Sequence, residues 1–317
     1  MTQARAFWTV APNVGEIRTE ALGAPGDGQI LLQSLASGVS RGTESLVFAG
    51  KVPASQFATM RAPMMDGAFP FPVKYGYSTV ARTPDGRRVF VLHPHQDVFL
   101  ADAAACVPIP ESVPTPRAVL AANLETAVNI LWDAAPLVGE RIMVIGAGVV
   151  GLLTASLFAR IPASQVTVVD IDPSRRPLAE RFGCAFAAPQ DAPGEQELIV
   201  HASATEAGLS LALSHAAFEA RIVEASWFGD RAPTIPLGEA FHSRRLRITA
   251  SQVGAIAPAM RGRRSYGERL ATALHLLADP AYDALLQGPT RFEDLPRAMP
   301  DILAPGGLCH VITYGDE

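Results

Sequence analysis

A chain of 317 residues with a formal net charge of -5, 49% hydrophobic and 18% charged, has the length of two domains at roughly 150 residues each and can bury a sizeable core. Its 26 Gly and 26 Pro follow no period, which excludes a fibre or a disordered chain, and the acidic balance offers no field for nucleic acid. Cysteines at 106, 184 and 309 stand too far apart for a disulfide framework or a cysteine-rich zinc site. With no secretory signal and no membrane-spanning apolar run, a cytoplasmic chain with no membrane partner is expected.

The first 120 residues read as short strands between turns. Ala4 to Val10, Gln29 to Ser37 and Arg88 to Leu92 have strand-like apolar content, and Pro25-Gly26-Asp27-Gly28 and Pro84-Asp85-Gly86 are turn signals. Ala54 to Met65 allows a short helix. The pattern then changes: a helix is expected over Pro116 to Trp132, a strand over Arg141 to Ile145, and a helix through Thr154 to Arg160. The strand Gln165 to Val169 ends at Asp170, followed by a helix over Ser174 to Phe182 and a strand over Ala185 to Ala187. Leu198 to His201, a helix over Ala207 to Phe218, and strands at Arg221 to Ala225 and Leu246 to Ala250 complete the series. Strands alternating with helices predict a parallel sheet covered on both faces. Helices at Tyr266 to Ala278 and Phe292 to Met299 and a strand at Leu308 to Ile312 close the chain.

Within this alternation Val144-Ile145-Gly146-Ala147-Gly148-Val149-Val150-Gly151 follows a strand and opens a helix. That context makes it a dinucleotide fingerprint. Gly146 permits the tight turn, Gly148 lets a pyrophosphate approach the backbone, and Gly151 lets the helix lie close to the sheet. The amides of Val149 and Val150 at the helix start would bind phosphate. Asp170, closing the next strand, would accept bonds from the ribose hydroxyls and repel a 2'-phosphate, so NAD(H) is preferred, with NADP(H) left open because Arg175 and Arg176 follow.

The layout resembles the medium-chain dehydrogenase/reductase superfamily over almost the whole chain. The resemblance implies an α/β fold of a GroES-like β-rich catalytic domain (1–122), a doubly wound Rossmann dinucleotide-binding domain (123–260) and a return to the catalytic domain (261–317). Gly38-Val39-Ser40-Arg41-Gly42-Thr43-Glu44 and Tyr75-Gly76-Tyr77-Ser78 look most like the branch containing bacteriochlorophyllide hydroxyethyl dehydrogenase. The zinc enzymes of the superfamily carry a cysteine in the turn resembling Gly38 to Glu44, a Gly-His-Glu segment resembling Gly76-Tyr77-Ser78, and a third ligand near Ala122. Here Ser40 or Arg41, Tyr77, Ser78 and Ala122 stand in those places, so no catalytic zinc is expected. His93 and His95 alone make a poor site.

Hydride transfer without a Lewis acid needs a proton or hydrogen-bond donor at the substrate oxygen. Tyr77 is the first candidate, carried over from the resemblance. Tyr75 competes, and Lys74 beside them would lower a tyrosine pKa. Thr43 resembles a proton-relay hydroxyl that His95 would connect to water, Glu44 would pair with Arg41 or Arg61, and Glu125 is a secondary candidate. Thr126, His201 and Ser203 are expected near the cofactor. Each has a plain structural alternative in packing or local bonding.

The leading expectation is a zinc-independent NAD(H)-dependent oxidoreductase for a small-molecule alcohol or carbonyl. An NADPH-dependent enoyl or quinone reductase with a conjugated substrate, and a nonenzymatic NAD(H)-binding redox sensor, are the alternatives. A homodimer is expected through the edge strand at Leu246 to Ala250.

Overall fold

The computed structural model describes residues 2–315. Period-two burial marks the start of β1 (Thr2–Ala11), where Ala4 and Ala6 are buried on either side of an exposed Arg5, and a turn at Asn13 returns the chain as β2 (Val14–Leu22). After β3 (Gln29–Val39) come α1 (Arg41–Phe48), β4 (Asp66–Gly67), β5 (Val73–Lys74), β6 (Thr79–Arg82), β7 (Arg88–Val91), β8 (Val98–Asp102) and β9 (Val107–Pro108). The chain continues with α2 (Thr115–Ala118), α3 (Ala121–Ala134), β10 (Arg141–Ile145), α4 (Val149–Phe158), β11 (Gln165–Val169), α5 (Arg176–Arg181) and β12 (Ala185–Ala187). Then follow β13 (Gln196–His201), α6 (Glu206–His215), β14 (Ala216–Glu224), β15 (Arg247–Ala250), α7 (Tyr266–Leu276), β16 (Leu286–Arg291), α8 (Leu295–Ile302) and β17 (Cys309–Thr313).

Two compact units result: residues 1–122 with 270–317, and residues 123–269. The first holds a four-stranded sheet ordered β2-β1-β5-β4 and a seven-stranded sheet ordered β16-β17-β3-β6-β7-β9, with β8 pairing β3. Phe7, Val39, Phe48, Phe292, Leu295, Met299 and Ile312 form one of its cores. The second holds a parallel sheet ordered β12-β11-β10-β13-β14-β15. Counted from β10, that is the doubly wound order, which reverses between β10 and β13. Ile142 to Ile145, Leu198 to Val200 and Ile222 are buried, as strands covered on both faces require. This unit runs on past 260 to Arg269, whose guanidinium is buried among Glu125, Asn129 and Val253. No helix among the described residues is long and apolar enough to cross a membrane.

Three elements differ from expectation, each for a local reason. Ala54 to Met65 is no helix beyond a short 3-10 turn at Ala54–Gln56, because Pro63 disfavours a helical Ala62 and Met64 is left-handed at φ 58. The helix expected from Pro116 to Trp132 breaks at Val119 and Leu120, where Ser78 Oγ donates to the Val119 carbonyl. The helix expected to reach Phe218 stops at His215. Ala216 turns extended and is buried with Met143 and Ile199 as the start of β14, leaving Phe218 63% exposed.

Candidate functional site

The glycine-rich loop between β10 and α4 lies at the point where the sheet order reverses. Gly146 has φ 107, and a Cβ there would stand 2.8 Å from the Ser203 backbone nitrogen. A Cβ at Gly151 would overlap the Gly146 carbonyl, so this glycine lets the helix start sit on the loop. At Gly148 nothing lies within 4 Å of where a Cβ would be. The N–H groups of Gly148, Val149 and Val150 have no partner among the described residues, since the first helical bond runs from Leu152 N–H to the Gly148 carbonyl. An open concavity lined by unpaired donors suits a pyrophosphate.

Asp170 fixes the rim of this cradle. Its Oδ2 accepts from the Ala147 N–H at 2.6 Å and its Oδ1 from the Asp172 N–H at 2.8 Å, which keeps the carboxylate against the loop. Arg175 pairs with Asp172 at 3.2 Å. The Arg176 guanidinium lies 4.9 Å from the Phe186 ring centroid and also bonds the Phe186 carbonyl at 3.3 Å.

On the other side of the reversal point, the register sets His201 of β13 opposite Glu224 of β14. His201 Nδ1 lies 2.7 Å from Glu224 Oε2 and its Nε2 lies 2.7 Å from Ser203 Oγ. Ser203 Oγ lies in turn 2.8 Å from Thr205 Oγ1. Glu224 and Thr205 carry no recognisable motif in the sequence; Glu224 sits 23 positions beyond His201, and only strand pairing joins them. Thr126, on the same unit, is partly buried in α3.

In the first unit Tyr77 occupies the place that the resemblance gives to a metal ligand. Ser40 and Thr43 hydrogen-bond its phenol, while burial and then the Glu44 charge push its pKa up to about 12. The Tyr75 ring meets it edge-on at 6.0 Å and 85°, and burial pushes the Tyr75 phenol up as well. Next to them Glu44 accepts from the Ser40 N–H at 2.7 Å and lies 2.9 Å from His95 Nε2. His95 Nδ1 lies 2.8 Å from Ser37 Oγ, which lies 2.8 Å from the Tyr314 hydroxyl. Glu44, His95 and Tyr75 wall a cleft of about 240 Å³, counted to its open mouth, with Phe7, Phe48 and Met299. Ser37 and Tyr314 were not legible as partners, because strand pairing, not sequence spacing, delivers them.

Several expectations are overturned here. Lys74 bonds Glu20 at 3.1 Å and Gln96 at 3.1 Å, and both tyrosine pKa values rise instead of falling, since β5 aims Lys74 towards β1 and burial dominates at Tyr75 and Tyr77. His95 is 1% exposed and is held between Glu44 and Ser37. Glu44 pairs with His95, whereas Arg41 and Arg61 bond backbone carbonyls. His93 stacks on Phe99 at 3.7 Å, with burial pushing its imidazole down to about 3, and does not join His95. Glu125 is consumed by Arg269 at 3.0 Å, 4% exposed. Among the described residues no group of three His, Cys, Asp or Glu side chains could hold a metal ion.

Arg41, at the start of α1, bonds the carbonyls of Ile302, Leu303, Ala304 and Gly307 at and beyond the end of α8. Helix ends leave such carbonyls orphaned, and a guanidinium satisfies several at once. Arg41→Ala is expected to lower the stability of this unit by about 1.5–3 kcal/mol, with Arg41→Lys intermediate. Urea denaturation checks this; a loss below about 0.5 kcal/mol would remove Arg41 as the clamp on the α8 terminus.

No protein-family model matches the chain. Among curated proteins it is 36% identical over 77 residues to L-threonine 3-dehydrogenase of Rhizobium rhizogenes, which is 24% of this chain and 22% of that protein. It is 34% identical over 92 residues to probable D-xylulose reductase A of Emericella nidulans, 29% of this chain and 26% of that protein. The match thus spans about a quarter of the length of these relatives. Among solved structures, L-idonate 5-dehydrogenase from Escherichia coli superposes with TM-score 0.80 at 14% identity over 99% of both chains. Acetophenone reductase from Geotrichum candidum, in complex with NAD, gives 0.77 at 17% identity over 98% of this chain and 97% of that one. A dehydrogenase from Sinorhizobium meliloti described as zinc-binding, and bound to NADP, gives 0.77 at 16% identity over 99% of this chain and 100% of that one. These show the fold alone: a β-rich unit and a parallel-stranded Rossmann-like unit. None of these relatives is a bacteriochlorophyllide enzyme, and the narrower resemblance gains nothing from them.

Proposed function

We propose that the chain is a zinc-independent, NAD(H)-dependent oxidoreductase acting on an alcohol or carbonyl compound. The observation that carries this reading is the open loop at Gly148, whose unpaired N–H groups stand beside a carboxylate held in place by the loop itself. When bound, a nicotinamide dinucleotide would supply or accept the hydride. Gly148, Val149 and Val150 would hold its phosphates, and Asp170 would bond the adenosine ribose. His201 and Ser203 would face the other ribose. Ile171, 87% exposed immediately after Asp170, offers an apolar face to the adenine.

For the substrate oxygen the reading relies on Tyr77. Its phenol stays protonated over the working pH range, so it donates a hydrogen bond to the oxygen on which charge develops, where zinc relatives would use a cation. Ser40 and Thr43 orient that phenol.

Cofactor choice tests the reading without a known substrate. A fixed carboxylate repels a 2'-phosphate, and Arg175 and Arg176 would have to leave Asp172 and Phe186 to receive one. NADH should therefore bind at least about tenfold tighter than NADPH, roughly 1.4 kcal/mol. In Asp170→Ser the discrimination should largely disappear, because serine keeps an acceptor for the Ala147 N–H but no charge. Fluorescence titrations giving equal affinities, or tighter NADPH binding, would refute the assignment.

A further inference from the structure

We propose that Ser203 is an activated nucleophile and that the chain carries a second activity, hydrolysis of small carboxylic esters, which needs no dinucleotide and does not rest on the oxidoreductase reading. The carboxylate of Glu224 sets the direction of the hydrogen bonds. A carboxylate only accepts, so with Glu224 Oε2 at 2.7 Å the proton of a neutral His201 sits on Nδ1. Nε2 is then an acceptor, and the hydroxyl 2.7 Å away on Ser203 must donate to it. Thr205 can donate to Ser203 Oγ at 2.8 Å while accepting from the Gly208 N–H at 3.0 Å. Carboxylate, imidazole and serine thus stand in the order, polarity and spacing of a nucleophile activated by an oriented base.

Packing makes the arrangement rigid. Parallel pairing places His201 against Glu224, and Glu224 Oε1 is held by the Ser226 N–H at 2.7 Å. Gly208 lets α6 approach: a Cβ there would overlap Ser203 Oγ and come within 2.7 Å of His201 Nε2. His201 is fully buried and Ser203 only partly so, which leaves the serine as the accessible end of the chain. The Ser203 N–H has no partner among the described residues, and a nucleophile's own amide is a proven oxyanion donor.

In the proposed step Ser203 Oγ bonds to the ester carbonyl carbon as its proton passes to His201 Nε2. The bond to the leaving oxygen breaks, and that oxygen takes the proton from His201. Water, deprotonated by His201, then attacks the acyl-serine, releasing the carboxylic acid and returning the proton to Ser203. Glu224 acts as a positioning residue that holds the imidazole tautomer.

The experiment uses the purified full chain with no dinucleotide added. A fluorophosphonate probe should modify the chain stoichiometrically, with the adduct mapped by mass spectrometry to Ser203, and p-nitrophenyl acetate should be turned over with saturation. Ser203→Ala should abolish both. Glu224→Gln should lower kcat by about tenfold or more with KM little changed and with an unaltered melting temperature, a split that a purely structural role would not produce. Absence of the adduct, an adduct at another residue, or ester turnover that persists in Ser203→Ala would each overturn the proposal. The wild-type adduct map decides the matter even if a variant does not fold.

Discussion

Arg269→Ala is expected to lower the free energy of unfolding of the 123–269 unit by about 3–5 kcal/mol near pH 7, one of the two largest effects anticipated for the chain. The guanidinium is 2% exposed, bonds Glu125 at 3.0 Å, Asn129 Oδ1 at 2.6 Å and the Val253 carbonyl at 2.6 Å, and faces the Tyr266 ring at 5.4 Å. Removing it leaves an ionised carboxylate buried without its cation, and the cost of that orphan exceeds the value of the pair itself. Burial already raises the Glu125 pKa above 4.5 in spite of Arg269. A carboxyl group with a raised folded pKa contributes its full stability below the unfolded value and loses it as pH rises through the folded one. Without Arg269 the folded value climbs further. The penalty in Arg269→Ala should therefore shrink as pH falls from 7 towards 4.5, and the double variant with Glu125→Gln should recover much of the loss at pH 7. Trp132 and Trp227 both lie in this unit, so fluorescence-detected urea unfolding reports on it. A loss below about 1 kcal/mol, or no recovery in the double variant, would show that the pair is not what holds α3, α7 and the Val253 segment together.

Glu125 also shows where reading a sequence stops. A lone acid among Ala121, Ala122 and Leu124 is a fair site candidate from local context, yet its meaning depends on an arginine 144 positions away. The doubly wound unit was legible because its signals are local. A β-strand, three glycines at fixed spacing and an acid at the end of the next strand all lie within a short stretch, and Gly146 and Gly151 each have a steric reason visible in the fold. The break at Val119 depends on Ser78, 41 positions earlier, and no helix propensity reports that. Lys74 illustrates the same limit on a finer scale. Adjacent to Tyr75 in sequence, it closes β5, and its charge is spent on Glu20 and Gln96. The chain Glu224–His201–Ser203 is a product of strand register, and Glu44–His95–Ser37 joins residues of α1, of a loop and of β3, so two of the three members of each were visible as candidate residues and the third was not.

Tyr77→Phe is expected to reduce hydride transfer to or from an alcohol or carbonyl substrate, once one is found by screening, by about 10²–10³-fold. NADH affinity should hardly change, because the Gly148 loop and Asp170 belong to the 123–269 unit. The loss should be large because the phenylalanine keeps the ring packing on Tyr75 and removes only the donor. Burial is the main cause that pushes the Tyr77 pKa up to about 12, the nearby Glu44 charge adds to it, and the hydrogen bonds from Ser40 and Thr43 oppose it. A raised pKa keeps the phenol neutral and donating at every lower pH, so titration of Tyr77 should impose no inflection on the rate across the neutral and mildly alkaline range. Thr43→Val, which removes one orienting hydroxyl and keeps the phenol, should cost less than Tyr77→Phe. Tyr75→Phe should also cost less, since Tyr75 is 7% exposed and packs against Phe69. Single-turnover absorbance at the nicotinamide band separates these effects from product release. If Tyr77→Phe transfers hydride as fast as the unmodified chain, the substrate oxygen is not held by Tyr77, and the replacement of a metal-bearing segment by a phenol loses its catalytic meaning.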